Sequence, residues 1–140
     1  MNLQGKKALV FGGTSGIGLA TINMLQAQGA AVVAISRSPD KAGDLPGVEL
    51  VACDVRDEQA LAALFAAQAP YDVLISAATG GERAAGPFLQ MDLAGYRGSF
   101  DKLWGYTNVL RLGTENLSAD CNIVLGFGAP ALRPKPGQAG

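Results

Sequence analysis

Seven consecutive residues, Gly12-Gly13-Thr14-Ser15-Gly16-Ile17-Gly18, hold four glycines between an apolar run and a helical pattern. A backbone without Cβ atoms turns sharply and lets a pyrophosphate come up to its N–H groups. The N-terminus of the helix that follows adds unpaired donors and the positive end of its dipole. Gly18 also lets that helix pack closely on a sheet. The alternative is a glycine-rich turn with no ligand. The position of the loop, at the first strand-to-helix turn of the chain, argues for the anion cradle.

Other chemistries are excluded by composition. The 140 residues contain no His, so His-based triads, His metal sites and a His general base are absent. Eleven basic and twelve acidic side chains give a net charge of -1, without the electrostatic footprint expected for nucleic acid. Cys53 and Cys121 form no CxxC pair. Both end apolar stretches and read as buried thiols. No apolar run approaches the roughly 18 residues that a membrane span needs. With no signal-peptide pattern at the N-terminus either, the expected setting is cytoplasmic.

The elements that must position the loop follow from periodicity. Ala8 to Phe11 is a short, continuously apolar run, the mark of a strand buried on both faces. Ile17, Ala20, Thr21, Met24 and Leu25 recur as one stripe of an amphipathic helix, which Gly29 stops. Ala31–Ile35 is a second buried strand, Val48–Ala52 a third and Val73–Ile75 a fourth. A short helix around Asp40–Asp44 is the most that Pro39, Gly43 and Pro46 permit. Asp57 is an N-cap for a helix over Glu58–Gln68, ended by Pro70. A longer helix runs from Phe100 to Leu117 on one apolar face, with Gly105 and Gly113 as weak points, and Ile123–Leu125 is a fifth strand.

Apolar strands alternating with helices predict an α/β fold with a parallel sheet covered on both faces. Residues 1–128 form the dinucleotide-binding domain on this reading. Residues 129–140, rich in Pro and Gly, form a loop or tail.

The glycine spacing is GxxxGxG, at Gly12, Gly16 and Gly18, and here the chain resembles the short-chain dehydrogenase/reductase family. Cys53-Asp54-Val55 looks like the family's Asp-plus-aliphatic pair beside the adenine. Asp72-Val-Leu-Ile-Ser-Ala-Ala-Thr79 is similar to its DVLVNNAG segment, with Ser76 and Ala77 in place of the two Asn. Lys102 falls where the family's active-site helix usually carries an Asn. The resemblance runs from Gly5 to about Gly137. It implies a Rossmann-type doubly wound parallel sheet, here with five strands in the order 3-2-1-4-5, and hydride transfer between a nicotinamide dinucleotide and a carbonyl or alcohol.

An acidic residue at the end of strand two normally holds the ribose hydroxyls and repels a 2′-phosphate. This chain has Ser36-Arg37-Ser38 instead: small hydroxyls leave room, and a guanidinium pairs with phosphate in bidentate fashion. NADP(H) is therefore expected in preference to NAD(H); otherwise Arg37 is a solvated loop charge. Asp54 reads either as the adenine contact or as a cap satisfying nearby amides. Ser76, Ala77 and Ala78, small side chains at the end of strand four, either line the cofactor crevice or form a tight turn. With Gly12, Thr14, Ser15, Gly16, Ile17, Gly18 and Val55, these complete the expected cofactor site.

The family's chemistry uses a Tyr as general acid/base, a Lys that lowers the Tyr pKa, and a Ser that orients the substrate oxygen. None of Tyr71, Tyr96 and Tyr106 has a Lys four residues on, and Ile123-Val-Leu-Gly-Phe-Gly128 supplies no Ser. Lys102 is the one weak candidate for a proton relay, with a solvated helix lysine as the alternative. The expectation is a sheet truncated after strand five that binds the cofactor without turning it over. The alternatives are a non-enzymatic scaffold or oligomerisation module, and the N-terminal fragment of a complete dehydrogenase. An exposed fifth strand and uncovered apolar surface predict a homo-oligomer.

Overall fold

The computed structural model describes residues 2–79 and 84–127. The Pro/Gly-rich stretch over residues 129–140 and the glycines at 80 and 81 lie outside them. Five parallel strands, β1 (Lys7–Phe11), β2 (Ala31–Ser36), β3 (Val48–Ala52), β4 (Tyr71–Ser76) and β5 (Leu117–Leu125), form one sheet in the order β3-β2-β1-β4-β5. The helices are α1 (Gly16–Ala27), α2 (Glu58–Gln68), α3 (Leu93–Gly98) and α4 (Asp101–Gly113). This is the expected doubly wound order.

Because side chains alternate along a strand, the continuously apolar β1 feeds two cores. Ala8 and Val10 join Val32, Ala34, Val73 and Ile75 against Ile22 and Leu25 of α1. Leu9 and Phe11 join Val33, Ile35 and Leu74 against Leu61 and Phe65 of α2 and Val109 of α4. Phe11, Phe65 and Tyr71 pack ring to ring, with centroids 5.6 and 5.8 Å apart. Burying each such side chain stabilises the fold by roughly 2 kcal/mol.

Local signals held where capping chemistry set them. The Asp57 carboxylate accepts from the Ala60 amide at 3.0 Å, and α2 runs over the expected residues. Gly29 stops α1 with φ of +87°, a conformation that favours glycine.

Helical phase is where the sequence reading is corrected. The face of α1 turned to the sheet is Gly18, Ile22 and Leu25, while Ile17 and Met24 are 77% and 71% exposed. The expected long helix is divided into α3, α4 and a 3-10 turn at Thr114–Asn116, and Leu117 already belongs to β5. Its buried face is Gly105, Tyr106, Val109 and Gly113, not the expected apolar face that starts at Phe100, which is exposed, as are Leu103 and Trp104. β5 begins six residues earlier than expected: Leu117 and Asn122 pair with Tyr71 and Val73 of β4 across a register irregularity. β3 is not buried on both faces: it is an edge strand, with Glu49, Leu50 and Ala52 exposed. The short helix expected at Asp40–Asp44 is a 3-10 turn over Pro39–Ala42. Of the two thiols, Cys53 is buried and Cys121 only half-buried. No helix among the described residues is long and apolar enough to cross a membrane.

At the N-terminal ends of the strands, the Asp72 carboxylate accepts from Lys6 Nζ at 3.0 Å, the Lys7 amide at 2.9 Å and Ser118 Oγ at 2.8 Å. This ties β1, β4 and β5 together at the end remote from the glycine loop.

Candidate functional site

The glycine loop starts where β1 ends. The Gly12 and Gly13 amides donate to the Ile35 carbonyl at 2.8 and 3.4 Å, which fastens the loop to β2. Gly12 has φ of +77° and Gly16 of +51°, left-handed values that favour glycine. Space excludes a side chain elsewhere. A Cβ on Gly12 would lie 2.8 Å from the Ala77 carbonyl carbon and the Ala78 amide nitrogen. A Cβ on Gly18 would overlap the Gly12 carbonyl, 2.6 Å from its carbon. The loop is thus folded back on the start of α1 and down onto the segment after β4.

Ser15 is the N-cap of α1, but its side chain makes no capping hydrogen bond, and the first turn carries no acidic residue. Its N-terminal amides are therefore left for an outside acceptor, as the first turn of a helix requires.

Beside the loop lies a recess of about 380 Å³ at the carboxyl ends of β1, β2, β3 and β4. Gly12, Thr14 and Ser15 form its glycine-loop wall; Ser36, Arg37 and Ser38 form the wall after β2. Cys53 and Val55 close it from β3, and Ala78 and Thr79 from β4. Lys41 joins Arg37, because the turn after Ser38, with the Lys41 amide on the Ser38 carbonyl at 3.2 Å, brings it back to the recess. The recess therefore combines an amide-rich loop with two cations and five hydroxyl-bearing residues. Ser36 Oγ is buried with no hydrogen-bond partner among the described residues. Such an atom is costly to leave unpaired, and a hydroxyl-bearing ligand would satisfy it. The Cys53 thiol is pushed up by burial, and then by Asp57 and Asp54, so it serves as neutral wall, not nucleophile.

Not every expected residue lines the recess. Gly16, Ile17 and Gly18 open α1 next to it, and Ala77 lies under Gly12. Ser76 is fully buried, with Oγ unpartnered among the described residues. Asp54 lies between two lining residues, but its carboxylate is held by Arg56: Nε on Oδ1 at 3.0 Å, Nη2 on Oδ2 at 2.8 Å, and the Arg56 amide on Oδ1 at 2.9 Å. Arg56 Nη1 also reaches Asp101 Oδ2 of α4 at 3.1 Å. These contacts, led by the Arg56 side-chain hydrogen bond, hold the Asp54 carboxyl below the usual carboxylate range, with Arg37 adding to the effect. Val55 is fixed by α4, whose Asn108 donates to the Val55 carbonyl at 3.1 Å and whose Gly105 faces its side chain.

Lys102 does not line the recess. Its Nζ lies over the Tyr106 ring, 5.4 Å from the centroid, and the Tyr106 hydroxyl donates to the Gly126 carbonyl. Burial raises the Tyr106 pKa. A tyrosine base needs the opposite shift, so this pair does not reproduce an activated Tyr–Lys couple.

Lys41, Thr79, Cys53 and Arg56 were missed by sequence reasoning. Lys41 had a readable signal, a second cation in the turn that Pro39 forces after Arg37. Arg56 had one too, since an Asp two residues before an amide readily forms a side-chain turn.

Residues 12–104 match the model of a family described as NAD(P)H-binding. The chain is 36% identical over 105 residues to the L-xylulose reductase of Mesocricetus auratus, which covers 72% of this chain and 42% of that protein. It is 38% identical over 83 residues to the carbonyl reductase [NADPH] 2 of Sus scrofa, covering 54% of this chain and 33% of that one. The chain thus spans well under half the length of these curated relatives. A solved short chain dehydrogenase/reductase family protein superposes with a TM-score of 0.83 at 30% identity, over 99% of this chain and 62% of that one.

Proposed function

Since the chain belongs to the short-chain dehydrogenase/reductase family, we propose that it binds NADP(H) in the recess beside the glycine loop, in preference to NAD(H). The observation that carries this reading is the single cavity joining Gly12, Thr14 and Ser15 to Ser36, Arg37, Ser38 and Lys41. The amides from Thr14 to Gly18, at the N-terminus of α1, receive the pyrophosphate, and the hydroxyl groups of Ser36 and Ser38 meet the adenosine ribose. Arg37 and Lys41 offset the 2′-phosphate charge, an interaction made stronger by the guanidinium fork. Asp54 and Val55 flank the adenine, and the small Ala77 and Ala78 leave room for the nicotinamide half. The NADPH in the name of the Sus scrofa relative favours the same choice.

When bound, the dinucleotide supplies a hydride to a carbonyl or accepts one from an alcohol. These residues bind and orient it, and this chain by itself does not turn it over. Support comes from the three tyrosines, none followed four residues on by a Lys, and from the raised pKa of Tyr106. The test is equilibrium titration with NADPH alongside a turnover assay with L-xylulose, the compound in the name of the Mesocricetus auratus relative. Saturable binding with constant NADPH absorbance is expected; steady oxidation would refute the inactive reading.

A reducing, cytoplasmic setting is proposed with it, supported by two free cysteines. A second reading, self-association, is favoured by one observation. Leu89, Leu93, Leu103 and Trp104 are 94%, 70%, 60% and 62% exposed, and large apolar side chains left in water favour association. Light scattering behind size exclusion should give a multiple of 14.3 kDa; a monomer at high concentration would contradict it.

A further inference from the structure

We propose that Arg56 sets the preference for NADP(H) over NAD(H) by neutralising Asp54, which leaves the Arg37 guanidinium to the 2′-phosphate. The inference rests on the NADP(H) reading of the recess. Cys53 and Val55 both line the recess that holds Arg37 and Lys41, and the carboxyl of Asp54 between them feels the Arg37 charge, so Asp54 lies within electrostatic reach of the recess. Its carboxylate is only 30% exposed, and Arg56 occupies Oδ1 twice and Oδ2 once in a bidentate clasp. Arg56 is in turn held by Asp101 at the start of α4, and it is not among the residues that line the recess.

Without the clasp, that carboxylate acts against the 2′-phosphate in two ways. It competes for Arg37, whose charge it already feels. It also repels the phosphate dianion directly. NAD(H) has no 2′-phosphate, so both effects fall on one dinucleotide. A purely structural Arg56, fastening the turn after β3 to α4, would weaken both dinucleotides together. The ratio of the two affinities separates these roles.

The experiment is calorimetric titration of the 140-residue chain with NADP+ and with NAD+, at low and at high salt. Arg56→Ala should lower the NADP+ to NAD+ affinity ratio about threefold, the scale of a partly exposed ion pair, and high salt should shrink that deficit. Arg56→Lys should keep most of the ratio. Asp54→Asn alone should raise it, and the Asp54→Asn/Arg56→Ala double variant should return it to the parent value. An Arg56→Ala ratio equal to the parent's, or a double variant as low as Arg56→Ala, would overturn the proposal. Arg37→Ala distinguishes the failures. If it lowers the ratio while Arg56→Ala does not, only this proposal falls. If it leaves the ratio unchanged, the NADP(H) reading falls and this proposal with it.

Discussion

The carbonyl of Gly12 occupies the space where Gly18 would carry a side chain, with the Gly12 carbonyl carbon 2.6 Å from that position. The loop and the first turn of α1 are therefore one packed unit, closed on itself before any ligand arrives.

The two later glycines of the loop should consequently respond differently to alanine. Gly18→Ala meets backbone that cannot move aside, and should cost about 3 kcal/mol in chemical denaturation along with dinucleotide binding. At Gly16 a Cβ meets nothing within 4 Å, and only φ of +51° opposes it. Gly16→Ala should cost about 1 kcal/mol. Equal losses for the two would contradict the packed-loop geometry.

This geometry also explains what could be read from the sequence. The strands and the glycine loop were legible because apolar runs and turn chemistry are local, whereas the strand order came from the family resemblance that the glycine spacing carries. The face of α1 was not. Hydrophobic periodicity chose Ile17 and Met24 together with Leu25, yet the loop requires Gly18 against the sheet, and only Leu25 of that stripe is buried, beside Ile22. α4 repeats the lesson, since Gly105 and Gly113, read as weak points, are contact positions beside Val109. A scale that rewards large side chains misses a face chosen for its lack of them. Lys41 and Arg56 depended on how turns fold back in space, and spacing alone does not carry that.

Gly113 gives a contest of signs. Alanine is the better helix former by about 1 kcal/mol. Its Cβ, however, would come within 2.8 Å of Leu74 Cδ2 and 2.9 Å of Phe65 Cζ, both on fully buried side chains. Overpacking of this kind costs about 1–3 kcal/mol, so Gly113→Ala should lower Tm by about 3 °C. A higher Tm in a thermal melt would show that α4 is free to shift.

Ser76 is fully buried and its hydroxyl has no partner among the described residues. Removing an unpaired buried hydroxyl relieves a desolvation cost of about 1 kcal/mol. Ser76→Ala should therefore raise stability in urea unfolding. A loss exceeding about 1 kcal/mol would mean that the hydroxyl is satisfied in solution.

The acid limb of stability should depend on Asp72. The Lys7 amide, and then Lys6 and Ser118, hold its carboxyl below the usual range in the folded protein. The unfolded chain takes up that proton at higher pH. The contribution is thus complete above about pH 4 and is lost as pH falls through the folded pKa. Asp72→Asn should destabilise the protein at neutral pH and flatten the decline on acidification. An unchanged acid slope would mean that other carboxylates control it.

The most direct test of the account is the affinity of the 140-residue chain for NADPH and NADH, followed by nicotinamide fluorescence, with Arg37→Ala beside the parent. Saturable binding of one NADPH per chain, tighter than NADH, is expected. Arg37→Ala should weaken NADPH about tenfold, on the order of 1.4 kcal/mol, with NADH nearly unaltered. No saturable signal at millimolar dinucleotide, or equal loss for both, would contradict it.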